Sequence, residues 1–161
     1  MNIREIANIA NKAEDLLKAA KIKNMFPVPL ERIAEHCKYE IKKFTPNKKT
    51  EKISGALFRN ENLILVNGGD SYLRQRFTIA HEFGHHTLHS NDPDFIDHRK
   101  VDITDGKEAE ANEFAASLLM PEKEFMKKHK EFDGNCEMLS EYFGTSVPSI
   151  GVRISKLGLD R

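Results

Sequence analysis

The stretch His81-Glu82-Phe83-Gly84-His85 limits what this chain can be more tightly than any other. On a helix, residues i and i+4 share one face with their Cβ atoms about 5–6 Å apart. Both imidazoles can therefore reach one metal ion at about 2.0–2.1 Å. Glu82 follows the first histidine and can stand beside the metal's open position as a base. These are two ligands and a base of a zinc hydrolase, which still needs a third ligand from elsewhere. A shuffled chain of this composition shows the pattern with probability about 0.03, so its surroundings have to support it. The bland alternative is a row of surface histidines on an ordinary amphipathic helix.

The surroundings read as a core helix. Gly68-Gly69 breaks a strand, Asp70 or Ser71 can cap, and a helix follows from about Tyr72 to His89. Phe77, Ala80, Gly84 and Leu88 make an apolar row that Ile79 and Phe83 widen, with the histidines at its edge. Gly84 lets a second helix pack closely. His89 shares the face of His81 and His85 but stands about 12 Å along the axis from His81. It reads as a supporting residue behind the ligands or a structural one. His86 points off that face, toward solvent.

Upstream, Ile3, Ile6, Ala7, Ala10, Ala13, Leu17 and Ala20 fall at helical spacing, and Pro29 opens a helix from Leu30 to Cys37. The period then changes to two. Tyr39 to Phe44, Ile53 to Arg59 and Asn62 to Val66 read as a three-stranded antiparallel sheet. The class is α+β. Lys42, Lys43, Lys48, Lys49 and Lys52 read as a solvated edge, because no aromatic platform is interleaved with them beyond Phe44.

Downstream, residues 90–107 form a polar loop, or a flap, holding His98, Asp92, Asp94, Asp97, Asp102 and Asp105. Helical periodicity resumes from Glu108 to Met120, and Pro121 opens a short helix to about Lys130. From Glu137 to Leu159 two helices flank a Gly144-Thr145-Ser146 turn, like a helix-turn-helix. Arg153, Lys156 and Arg161 are cancelled there by Glu137, Glu141 and Asp160. DNA affinity needs clustered cations, so the hairpin reads as packing.

The whole 161-residue chain reads as one domain: N-terminal helices in 1–38, the sheet in 39–67, site helices in 72–130 and a hairpin in 135–159. Its 25 basic and 25 acidic residues cancel, so no global field draws it to nucleic acid or membrane. Cys37 and Cys136 are isolated, the N-terminus lacks an apolar signal core, and no run reaches membrane-spanning length. The expected address is the cytoplasm.

The third ligand is sought on the helix that begins at Glu108. Ala111, Ala115 and Ala116 let that helix approach the motif. Glu108 could bind metal while Asn112, one turn on, accepts from a ligand histidine's second nitrogen. Glu110 and Glu113 project roughly 200° and 140° from Glu108, so one of the three at most is a ligand. The residues alone leave Glu108 and Glu110 both open.

Arg74 to His85, together with Glu108-Ala109-Glu110-Ala111-Asn112-Glu113-Phe114-Ala115-Ala116-Ser117-Leu118-Leu119-Met120-Pro121, resembles the ImmA/IrrE family of bacterial and phage metallopeptidases. Ser54 to Phe58, Phe143 to Ser146, Arg153 and Leu157 to Leu159 fit as well. The resemblance implies a zincin-like domain with Zn²⁺ on His81, His85 and, by the family pattern Glu-x-x-Ala-Asn/Asp-x-Phe-Ala, Glu108. Glu82 reads as the catalytic base; Tyr142, His129 and His98 are candidates for an oxyanion partner that is set neither by the sequence nor by the resemblance. The resemblance also implies a partner: a helix-turn-helix repressor, cleaved to relieve repression in a prophage or mobile element. The length leaves no room for the C-terminal sensing domains of longer members. Two rival readings are an antirepressor that displaces its partner uncut and the toxin of a toxin–antitoxin pair.

Overall fold

A computed structural model describes residues 1–98 and 106–160, apart from the side chains of Phe95, Asp97 and His98. Asp102 and Asp105 lie outside the described residues. Within them the order is α1 (Ile3–Ala19), α2 (Leu30–Cys37), β1 (Glu40–Phe44), β2 (Ile53–Phe58), β3 (Leu63–Asn67), α3 (Tyr72–Leu88), β4 (Phe95–His98), α4 (Gly106–Leu119), α5 (Glu122–Glu131), α6 (Cys136–Phe143) and α7 (Val147–Lys156). The fold is α+β.

A capping box starts α1: Asn2 accepts from Glu5 N–H, and the Glu5 carboxylate accepts from Asn2 N–H. The buried stripe is Ile9, Ala13 and Leu17, and α1 lies on α4. Ile3 and Ile6, expected on that stripe, are exposed. The helix begins a turn and a half before it meets its partner.

The sheet departs from the expected three antiparallel strands. Its order is β1-β3-β2-β4, with β1 parallel to β3 and β2 antiparallel to both β3 and β4. Periodicity marks strands but says nothing about neighbours. Here β2 enters between β3 and β4, and β1 is left to pair with β3 in the same direction. The fourth strand lies inside the segment read as a polar loop. It is four residues long, too short to show alternation, and depends on β2 for its ladder. Two of the loop's aspartates have partners at the surface: Asp94 accepts from Arg59 N–H at 2.8 Å, and Asp92 pairs with Lys107 at 2.6 Å.

Helix α3 runs over β2 and β3 and packs against α4. Ser71 caps its start. It is buried on more than one face: Ala80, Glu82 and Phe83 are wholly covered, and His81 and His85 nearly so. A site at the edge of the packed face was the expectation; the histidines lie inside. Its α4 partner contributes Ala111, Phe114, Ala115 and Leu118 to the core.

Two buried arginines tie the C-terminal hairpin down. Arg76 of α3 donates to Gly144 O and Val28 O, at 3.0 and 2.9 Å. Gly144 has φ +62°, and a Cβ there would lie 2.8 Å from Arg76 Nε, so only glycine closes this turn cheaply. Arg153 of α7 donates to Met120 O at 2.9 Å and pairs with Glu113, which Lys156 also reaches at 2.5 Å. Arg153 and Lys156 are thus engaged within the fold.

Candidate metal centre

His81 and His85 project from α3 toward Glu108 of α4. The two Nε2 atoms are 3.0 Å apart; His81 Nε2 lies 3.3 Å from Glu108 Oε2 and His85 Nε2 2.8 Å from Glu108 Oε1. All three residues are buried and offer ligand atoms within 4.8 Å of one another. Tetrahedral coordination at about 2.0–2.2 Å keeps ligand atoms about 3.3–3.5 Å apart, so this donor set fits one metal ion after a slight opening. Three protein donors leave a fourth position free.

The helices reach this geometry because glycine and alanine face each other where they cross. A Cβ on Gly84 would sit 3.0 Å from the Ala111 backbone. Strand β2 closes the other side in the same way. A Cβ on Gly55 would meet Thr78 Cγ2 at 2.6 Å, Leu65 O at 2.9 Å and Glu82 Oε1 at 3.3 Å. Glu82 is thus wedged between α3 and the β2 backbone, one residue along from His81.

The ring of His81 is held from behind, its Nδ1 2.9 Å from Asn112 Oδ1. An amide oxygen only accepts, so a proton lies on Nδ1, and Nε2 is the nitrogen turned to the cluster. Burial pushes the His85 imidazole below its ordinary range, the bond from Glu108 raising it and the charge of His81 lowering it further. Burial alone would raise the Glu108 carboxyl, but hydrogen bonds and charge from His81 and His85 outweigh it and bring it to about 2. A His85 ring drawn toward its neutral form and an ionised Glu108 carboxylate are what metal binding requires of these two ligands.

The remaining predicted residues are distributed as follows. His89 is buried behind His85, their Nδ1 atoms 3.1 Å apart. Glu110 lies 2.7 Å from His89 Nε2 and is not in the cluster; Glu113 is with Arg153 and Lys156. Tyr142 donates to Glu124, and His129 stacks on Phe125, so neither joins the His81–His85–Glu108 group. The side chain of His98 lies outside the described residues. His86 is half-buried, not exposed as expected, with its ring edge-to-face against Tyr39.

Sequence reasoning missed two contributors. Gly55 carried a signal, since a glycine inside a strand marks a close approach. Arg59 carried none: its Nη2 donates to His85 O at 3.1 Å and His89 O at 2.8 Å, fixing the end of α3 from the β2–β3 turn.

A peptidase family model described as the IrrE N-terminal-like domain matches residues 38–155. The chain belongs to the ImmA/IrrE family. The matched region contains His81, His85 and Glu108, so this member of a metallopeptidase family presents a candidate metal site where its two site helices cross. Among solved structures, it is similar to a Mycobacterium tuberculosis transcriptional regulator, with TM-score 0.69 and 15% identity over 92% of this chain. The chain spans 46% of that protein, less than half its length. No curated protein matches the chain. No helix among the described residues is long and apolar enough to cross a membrane.

Proposed function

We propose that this protein is a zinc-dependent endopeptidase that cleaves a helix-turn-helix repressor and so relieves repression in a prophage or mobile element. The observation that carries the reading is the buried convergence of His81, His85 and Glu108, with the Glu82 carboxylate next along α3. The two Nε2 atoms and a Glu108 oxygen would hold Zn²⁺. When bound, zinc polarises a peptide carbonyl and lowers the pKa of its water toward about 7.

Glu82 is the catalytic base. Its carboxylate takes the proton of the attacking water and passes it to the leaving amide nitrogen. Gly55 keeps the strand backbone against that carboxylate, limiting where it can swing. Asn112 keeps the His81 lone pair aimed at the metal.

A repressor substrate accords with the family, and the neighbour of like fold is itself a transcriptional regulator. Arg153 and Lys156 are paired with Glu113, which supports action on the protein partner rather than on DNA. A cytoplasmic address accords with such a partner.

Glu82→Gln tests the mechanism. Zinc stays at one per chain while cleavage falls by at least about 10²-fold, the share a positioned base supplies. Mass spectrometry of the partner after incubation reads the result. Wild-type cleavage by the variant refutes the mechanism, and a wild-type protein that displaces the repressor without cutting it establishes the antirepressor reading instead.

A further inference from the structure

Glu110, His89 and His85 form a hydrogen-bonded line that ends on the metal cluster. His89 Nε2 lies 2.7 Å from Glu110 Oε2, and His89 Nδ1 lies 3.1 Å from His85 Nδ1. An ionised carboxylate only accepts, so the proton on the outer bond belongs to His89 Nε2. A neutral His89 then has a bare Nδ1, which accepts, and His85 Nδ1–H donates to it. Nε2, the atom that faces Glu108 and His81, is then the nitrogen that would offer its lone pair to a bound metal. Asn112 imposes the same proton order on His81.

The line is also held at its backbone. His89 is the C-cap of α3, with φ −124° and ψ 44°, so its side chain leaves the helical path. Arg59 fixes that cap through the carbonyls of His85 and His89. The His89 and His85 side chains are 6% and 3% exposed, against 39% for Glu110. Water therefore competes at the outer end of the line and hardly at all within it.

We infer that Glu110 is a positioning residue for the metal centre, acting through the hydrogen-bonded His89 to hold the ring of His85 with its Nε2 toward the metal. This rests on the reading of His81, His85 and Glu108 as metal ligands. It gives Glu110 a role other than third ligand and gives His89 a defined direction of hydrogen bonding. Partners of this kind raise ligand basicity, and their loss costs about 10–100-fold in metal affinity.

The test uses the full chain in two measurements. In the first, ¹⁵N-histidine NMR of zinc-loaded protein above pH 8 reads the His89 tautomer directly. Wild type shows His89 protonated at Nε2, and Glu110→Ala shows His89 as a mixture of tautomers. In the second, zinc affinity is read by competition with a chromophoric chelator. His89→Ala and Glu110→Ala each weaken zinc about 10–100-fold, and the double variant is no weaker than the worse single one, because both cut the same line. Glu110→Gln, whose Oε1 still accepts, keeps the His89 tautomer and loses less affinity than the alanine variant.

Unchanged affinity in both single variants overturns the inference. So do multiplied losses in the double variant, a glutamine variant as weak as alanine, or loss of the whole zinc equivalent in Glu110→Ala. Wild-type protein that takes up no zinc, or His81→Ala that keeps it, refutes the metal site itself. The inference falls with it.

Discussion

Tyr142 illustrates how a single residue can look chemical and be committed elsewhere. Its hydroxyl donates to Glu124 Oε1 at 2.8 Å, its ring stacks on Phe26 at 5.4 Å, and the Lys128 ammonium lies 4.7 Å from its centroid. Burial and the Glu124 carboxylate push the phenol up to about 12. The sign follows from the proton: the folded state keeps it longer than an unfolded tyrosine, which ionises near pH 10. Stability from this group is fully present below pH 10 and is lost as pH rises through 12. Absorbance at 295 nm therefore shows a tyrosinate step near pH 12 that shrinks by one tyrosine in Tyr142→Phe. A single step near pH 10 for all the tyrosines contradicts the assignment.

At the scale of elements, the site depends on how closely α3 and α4 approach. Gly84→Ala places a methyl 3.0 Å from the Ala111 Cα and carbonyl, atoms that cannot turn aside. Overpacking of this kind costs about 1–3 kcal/mol, against about 1 kcal/mol gained because alanine favours the helix. The expected net is a loss of up to about 2 kcal/mol in urea unfolding, with weaker zinc binding. The control is Gly151→Ala on α7, where nothing lies within 4 Å of the added methyl and the change is stabilising by up to about 1 kcal/mol. Equal effects at the two glycines would mean that close approach is not what Gly84 provides. Sequence alone showed the ingredients of this crossing, glycine on one helix and alanines on the other. It did not show that the histidines lie inside the packed surface, because burial of a polar group is decided by what covers it.

Across the whole molecule, the cluster joins two helices 27 positions apart at their ligands, from His81 to Glu108. A metal bound there holds α3 to α4, and through α4 to α1, against which it packs. With free zinc at 100 times its dissociation constant, linkage adds about 2.7 kcal/mol to folding. Chelator should lower the melting temperature of wild-type protein and leave that of His81→Ala unchanged. A wild-type melt indifferent to chelator and zinc would place the cluster outside metal binding. Arg76 and Arg153 act over longer spans, closing the hairpin onto α3 and α4 without touching the cluster. The family-like residues of the C-terminal part are thus fastenings of the fold.

The sequence by itself determined the helices, the α+β class and the spacing of His81, Glu82 and His85, because helical period and capping act over a few residues. It narrowed the third acidic residue to one helix and matched it to the family pattern at Glu108. Only the tertiary structure decided the rest. The β1–β3 pairing, the edge strand β4, the wedge of Gly55 against Glu82 and the reach of Arg59 to the end of α3 are contacts between segments far apart in sequence. Glu110 is the clearest case. By helical angle it points away from Glu108, yet His89, leaving α3 at its C-cap, comes to meet it. No local pattern encodes that meeting, since it depends on where two separate helices end.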